Sequence, residues 1–228
     1  MMFRKVLLTV LIIVLVVEPS CASSITGNIS LTGKQASKAK LEDVIVYFVP
    51  DSASFSQQIV PLDKPLNIKM KNKAYVPRVS VVPSGSEIKI ENADSIIHNA
   101  FSPSRPNQFD LGLYKKSTGK TQILSQPGVV KIFCNVHYHM VAYVLVLDTP
   151  FYARVDSEGR YRIDNISEDI LKGKIIVWHE RAKKIAKVID LPIVKELNLN
   201  LPITKRRIPA HKNKSGKSYK KKRRRRRY

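Results

Sequence analysis

No long stretch of this 228-residue chain repeats apolar residues at helical spacing. Apolarity comes instead in short runs of β-branched and aromatic residues separated by turn chemistry. The runs predict strands at Ile25–Leu31, Val44–Val49, Leu66–Lys71, Arg78–Val82 and Glu87–Glu91. They continue at Thr121–Leu124, Gly128–Cys134, Val141–Leu147, Tyr152–Val155, Tyr161–Ile163, Lys174–Trp178, Ala186–Leu191 and Glu196–Leu201. Turns are supplied by Pro83-Ser84-Gly85, Gln126-Pro127-Gly128 and Asp156-Ser157-Glu158-Gly159. Loop material collects at Ser102–Gln108 and Tyr114–Lys120. Strands at this density predict an all-β architecture of sandwiches or barrels.

Residues 1–22 read as a secretory signal peptide. Arg4 and Lys5 precede an apolar run from Val6 to Val17, and Glu18-Pro19-Ser20-Cys21-Ala22 ends it with small residues suited to cleavage. The run is shorter than the ~20 residues a membrane-spanning helix needs, so the mature form is expected to be periplasmic or secreted, with no transmembrane span. Cys21 raises lipid anchoring, which Glu18 disfavours. After cleavage Cys134 is the one cysteine left, which excludes a disulfide scaffold. A lone thiol in an exported protein calls for protection, and a metal would give it.

The residues around that thiol are Phe133-Cys134-Asn135-Val136-His137-Tyr138-His139-Met140. Cys, His and Met at i, i+3 and i+6 cannot line one side of a strand, because strand neighbours alternate faces. A loop leaving the strand Gly128–Cys134 can curl them around one ion. Thiolate, imidazole and thioether together suit copper in a His₂Cys site with a weak axial Met, and His98, followed by Asn99, supplies the second imidazole. Zinc on Cys, two His and water is the rival metal, which Met140 argues against. A Cys–His nucleophilic pair is the rival chemistry, but no oxyanion-hole motif accompanies it, so no enzymatic activity is expected.

Val82-x-x-Gly85 leading to Asn92, then His98-Asn99, Pro127-Gly128 and Cys134-x-x-His137-x-x-Met140 resemble the cupredoxins, with a short Cys-to-Met loop similar to that of amicyanin. The resemblance covers roughly Leu66 to Leu147 and implies a Greek-key β-sandwich. It also implies one type-1-like copper on His98, Cys134, His137 and Met140, with Asn99 and Asn135 supporting the ligands. Asn135 departs from the Ser or Thr common after the Cys, and His139 is an extra imidazole and an alternative ligand.

Later residues, Asp156-x-x-Gly159-x-Tyr161-x-Ile163 and Gly173-x-Ile175-x-Val177-Trp178, resemble carboxypeptidase-regulatory, transthyretin-like (prealbumin-like) sandwiches. Such folds begin with a strand like Gly27-Asn28-Ile29. The whole layout is similar to periplasmic plastocyanin-like proteins of the methylamine-utilisation group, with matches at Asp110-x-x-Leu113-Tyr114 and Trp178-His179-Glu180. His179 reads as a structural histidine. The expected organisation is a discontinuous second sandwich, Ig-like in build, over 23–60 and 150–204. A cupredoxin domain over 61–149 is set within it.

Lys and Arg number 40 against 18 Asp and Glu, a formal net charge of +22. Between Lys205 and Tyr228 lie 14 of the positive charges and no acid, leaving +8 for the remainder, so a uniformly basic nucleic-acid binder is excluded. The basic tail, 205–228, has almost nothing to bury and repels itself, so it is expected to be disordered and free of the body. Anionic surfaces or an acidic redox partner fit its charge, and export together with few interleaved aromatics disfavours nucleic acid. The resulting expectation is an exported blue copper protein carrying single electrons between partners. His137 would be the electron port, with Tyr138 and His139 on the docking rim. The alternatives are a copper carrier or sensor, or a structural adhesion module without electron-transfer duty.

Overall fold

A computed structural model describes residues 23–51, 59–193, 195–205, 208–214 and 216–217. The expected signal peptide, with Cys21, and the end of the basic tail lie outside the described residues. In chain order the first strands are β1 (Ser23–Thr32), β2 (Ile45–Pro50), β3 (Leu66–Lys71), β4 (Ala74–Val76), β5 (Val79–Pro83) and β6 (Ser86–Asn92). Next come β7 (His98–Ser102), β8 (Phe109–Tyr114), β9 (Ser117–Leu124), β10 (Gly128–Phe133) and β11 (Val141–Leu147). The last are β12 (Tyr152–Arg154), β13 (Arg160–Ile166), β14 (Lys172–Trp178), β15 (Ile185–Asp190) and β16 (Leu199–Pro202). The chain is all-β apart from two single 3₁₀ turns among the described residues, and no helix there is long and apolar enough to cross a membrane.

The strands form four sheets, β13-β1-β16, β12-β2-β14-β15, β5-β11-β10-β7-β8 and β4-β3-β6-β9. Three apolar clusters join them in series. The first packs Ile25 and Ile29 of β1 and Ile163 of β13 against Val46 and Phe48 of β2 and Val177 of β14. The last packs Ile68, Met70, Ile88 and Ile90 against Val130, Ile132, Ala142 and Val144. Between them, Ile45 and Trp178 meet Val79, Phe133, Tyr143 and Leu145.

This layering explains why β11 reads as an unbroken apolar run. All seven of its residues are buried. Val141, Tyr143, Leu145 and Leu147 face the middle cluster, while Ala142, Val144 and Val146 face the last. A strand alternates its side chains, so one covered on both faces has no polar side to show. β1 binds β13 antiparallel and β16 parallel. At Gly27 a Cβ would lie 2.1 Å from the Leu197 carbonyl oxygen, so only glycine admits that approach.

Three strands and part of a fourth go beyond the sequence-based expectation. β4 is a three-residue strand closing a tight hairpin on β3. β7, His-Asn-Ala-Phe-Ser, is wholly buried yet mostly polar, so neither strand period marks it. β8 carries Asp110 and a Gly112 at φ +71°, residues that normally signal turns. β9 begins at Ser117, paired across from Asn92, so the loop expected over Tyr114–Lys120 shrinks to Lys115 and Lys116.

One ion pair, its acid buried and its guanidinium partly exposed, ties the second sheet to the third. The Arg78 guanidinium makes two bonds to Glu180, Nε to Oε1 at 2.9 Å and Nη2 to Oε2 at 2.6 Å, and Nη1 donates to the Val141 carbonyl at 3.1 Å. The Glu180 side chain is 2% exposed. Removing one member of such a pair leaves the other charge buried alone. Arg78→Ala, which takes the guanidinium from the buried Glu180 carboxylate, is expected to cost about 3 kcal/mol, read as a lowered urea midpoint. An unchanged midpoint would show that the pair contributes nothing.

Candidate metal centre

β7 and β10 bring the proposed donors together from opposite ends of the chain's central segment. β10 ends at Phe133, so Cys134 and the loop to β11 emerge where β7 begins with His98. Cys134 and His98 are fully buried, and His137 is partly exposed. Cys134 Sγ lies 3.8 Å from His98 Nδ1 and 3.9 Å from His137 Nδ1, and the two nitrogens are 3.1 Å apart. The circle through these three atoms has a radius of about 2.1 Å, close to the ~2.0–2.3 Å bonds of a first-row cation to imidazole and thiolate. The residues therefore fit a metal ion.

The side chain of Asp94 sets the orientation of His98. Its Oδ2 lies 2.8 Å from His98 Nε2, and a carboxylate at that distance accepts a hydrogen bond from an N–H there. Nδ1 is then the lone-pair nitrogen, turned toward Cys134 and His137. Asp94 is held by a turn: the backbone N–H of Asn72 donates to Oδ1 at 2.7 Å and that of Lys73 to Oδ2 at 3.0 Å. Asn72 and Lys73 have φ of 53° and 56°, the two left-handed positions of a two-residue hairpin joining β3 to β4. Partial burial works to raise the Asp94 pKa, but the Lys73 N–H, the His98 ring and the Asn72 N–H outweigh it and hold the carboxyl below its ordinary value.

Asn99 braces the other side. Its Oδ1 accepts the backbone N–H of Asn135 at 3.2 Å, and its Nδ2 donates to Asp110 Oδ1 at 2.7 Å and to the Gly112 carbonyl at 2.8 Å. The Tyr75 hydroxyl stands 3.1 Å from the Asn99 carbonyl oxygen and 3.0 Å from that of Phe133. Buried Asn92 ties down the segment before His98, donating to the carbonyls of Ile96 and Tyr114 and accepting from the Asp94 N–H. Burial, then His98, His139 and Lys73, hold the His137 imidazole below its ordinary pKa against Asp94. That direction favours the neutral ring, the form in which an imidazole binds a metal.

Met140 is buried in the same apolar cluster as Cys134, and its N–H donates to the His137 carbonyl at 3.0 Å. His139 is exposed, its ring centre 6.1 Å from that of His137, and is not among the three converging donors. Tyr138 is 42% exposed. His179 is buried away from the centre, its Nδ1 accepting the Arg181 N–H at 3.1 Å, a structural role. Sequence reasoning missed Asp94 and Tyr75, and it named Asp110 only within a motif match, without a role. The Asn72-Lys73 turn hints at the first, and nothing local marks the second.

The basic tail also departs from expectation in its first part. His211 stacks between Phe133, at 3.8 Å and 16°, and Tyr138, at 4.8 Å and 8°. Lys214 Nζ lies 2.9 Å from Asp110 Oδ2. One imidazole on two rings and one acid opposite one lysine seat this segment, whose aliphatic residues are few. Partial burial works to raise the Asp110 pKa, but Lys214, the Gly112 N–H and Asn99 hold it below its ordinary value.

No family model matches the chain, and no curated protein matches it. Among solved structures, it is similar to a purple cupredoxin from Nitrosopumilus maritimus at 21% identity, over 36% of this chain and 99% of that one, with a TM-score of 0.33. A reduced amicyanin mutant aligns at 15% identity over 45% of this chain and 98% of its own, with a TM-score of 0.35. A copper-containing nitrite reductase from Thermus scotoductus aligns at 15% identity over 52% of this chain and 28% of its own, also at 0.35.

Partners that orient a ligand histidine are worth 10–100-fold in metal affinity. Asp94→Ala is therefore expected to weaken binding of Co²⁺ about 10–100-fold, measured by competitive titration. Unchanged affinity would show that His98 is oriented without Asp94.

Proposed function

We propose that this chain is an exported copper protein that carries single electrons between partner proteins and performs no reaction on a substrate. The observation that carries this reading is the donor triangle of His98, Cys134 and His137, with a buried Met140 in the same cluster as the thiol. A thiolate, two imidazoles and a soft thioether match the donor set of blue-copper sites. Bound there, copper supplies a one-electron couple between Cu(I) and Cu(II). Zinc with a water is disfavoured because Met140, 1% exposed, makes that side apolar.

The protein's own part is to hold the donors still. Asp94 fixes one imidazole, Asn99 fixes the residue after the thiol, and Tyr75 lies against both backbones. Donors that do not rearrange keep reorganisation small when an electron arrives. His137 is the partly exposed ligand, so its edge is the proposed port, with Tyr138 and His139 on the docking rim. Residues 23–60 and 150–204 form a supporting sandwich around a cupredoxin-like unit at 61–149 in this reading.

Copper-loaded protein is expected to show intense visible thiolate-to-copper charge transfer. Cys134→Ser should abolish it, and colour surviving in that mutant would defeat the assignment. Met140→Gln should keep the copper and lower its potential, because an oxygen donor favours Cu(II). If His139→Ala lowers it and Met140→Gln is silent, His139 is the axial ligand.

The basic end is proposed to steer an acidic redox partner or anionic surface onto the protein, raising the association rate more than the affinity. Binding to an acidic partner or anionic vesicles should then fall steeply between low salt and about 0.5 M, as the Debye length shrinks below its ~10 Å value at 0.1 M. Binding indifferent to salt would remove the electrostatic role.

A further inference from the structure

Four groups around the metal-binding loop form a closed ring of hydrogen bonds, and one of them comes from the tail. The Asn135 backbone N–H donates to Asn99 Oδ1 at 3.2 Å. Asn99 Nδ2 donates to Asp110 Oδ1 at 2.7 Å. Asp110 Oδ2 accepts from Lys214 Nζ at 2.9 Å, and the Lys214 backbone N–H returns to Asn135 Oδ1 at 3.1 Å. Lys214 thus grips both the residue after the thiol and the acid that orients Asn99.

A second contact bridges the loop at its other end. Phe133 precedes Cys134, and Tyr138 lies between His137 and Met140. His211 is sandwiched between their rings, so it joins the strand end before the thiol to the middle of the loop. The tail segment is itself organised for this. Asn213 N donates to the Lys217 carbonyl at 2.8 Å, Gly216 N to the Asn213 carbonyl at 2.9 Å, and Lys217 N to Asn213 Oδ1 at 2.8 Å. Two further bonds hold the loop, the Asn135 N–H to Asn99 Oδ1 and the Met140 N–H to the His137 carbonyl.

We propose that the tail segment containing His211 and Lys214 is a strap that positions the ligand loop and slows the departure of bound metal. His211 and Lys214 are positioning residues, since neither is among the donors. Lys214 holds both Asp110, which engages Asn99, and Asn135, so removing it takes a restraint from each side of the loop. Losing His211 removes the ring that links Tyr138 to Phe133, and the loop can then open about Asn135 without unfolding the sheets. Metal held by His137 departs through such openings.

The proposal rests on His98, Cys134 and His137 being ligands, so its test has one arm that does not. In the metal-free full-length protein, His211→Ala and Lys214→Ala are expected to speed amide hydrogen exchange over residues 135–139 about tenfold, with the urea midpoint unchanged. His211→Phe, which keeps a ring between Phe133 and Tyr138, and Lys214→Arg, which keeps the charge, should restore wild-type exchange. In copper-loaded protein the two alanine variants should speed release of Cu(I) to a chelator by a similar factor. Replacing Lys220–Lys222 with Gln is the charge control and should alter neither rate. Unchanged exchange in the alanine variants overturns the strap, as does unchanged release in the face of faster exchange. A fall in the urea midpoint that accounts for the faster exchange also overturns it, by making the segment part of the general fold. The metal assignment is tested separately by the colour of Cys134→Ser, so either reading can fail alone.

Discussion

Seven consecutive buried residues, Val141–Leu147, divide their side chains between two cores, and the place of the candidate metal centre in the fold depends on that division. A strand covered on both faces must lie in the middle of the stack, and its antiparallel neighbour β10 lies there with it. The loop joining the two strands is therefore anchored at both ends in the interior. Cys134 inherits the register of β10: Val130, Ile132 and Cys134 share one face and one cluster, while Phe133 faces the other core. The thiol is buried because of the strand parity that precedes it.

Parity alone does not build a site, because buried polar groups are costly unless bonded. His98, Asn92 and Asn99 are all fully buried, and each is bonded: His98 to Asp94 of the loop before it, Asn92 to Ile96 of that loop and to Tyr114, and Asn99 to Asp110 and Gly112 of β8. The Asn72-Lys73 turn presents two N–H groups to Asp94, Asp94 turns the His98 ring, and Asn99 reaches the residue beside the thiol. The residues that a core would otherwise exclude are thus the ones that orient the donors. The left-handed turn, the short β4 strand and the polar β7 belong to one arrangement and stand or fall together.

Charge works at longer range and at the surface. The net +22 is concentrated beyond residue 204, and the first part of that segment is drawn back to the body by the single acid Asp110 and by two aromatic rings. Opposite charges near a surface contribute little alone. Here the lysine also closes a hydrogen-bonded ring through its backbone, so geometry rather than Coulomb attraction gives the contact its consequence.

The sequence by itself determined the β class, the positions of most strands, and the donor types around Cys134. It could do so because strand apolarity and turn chemistry are local properties, and because Cys, His and Met in one short loop carry their chemistry with them. His98 was legible through its residue type and the Asn99 beside it. The strand it opens was not, since β7 is buried with polar side chains and follows neither strand period. Asp94, Tyr75 and the role of Asp110 were invisible for a related reason: each acts across a gap that only the folded chain closes. The tail's seat on Phe133, Tyr138 and Asp110 was likewise decided by tertiary structure alone. Composition reports that a segment is basic and poor in apolar residues. Whether one histidine meets two rings, and one lysine an acid already engaged with Asn99, depends on where folding has put those partners.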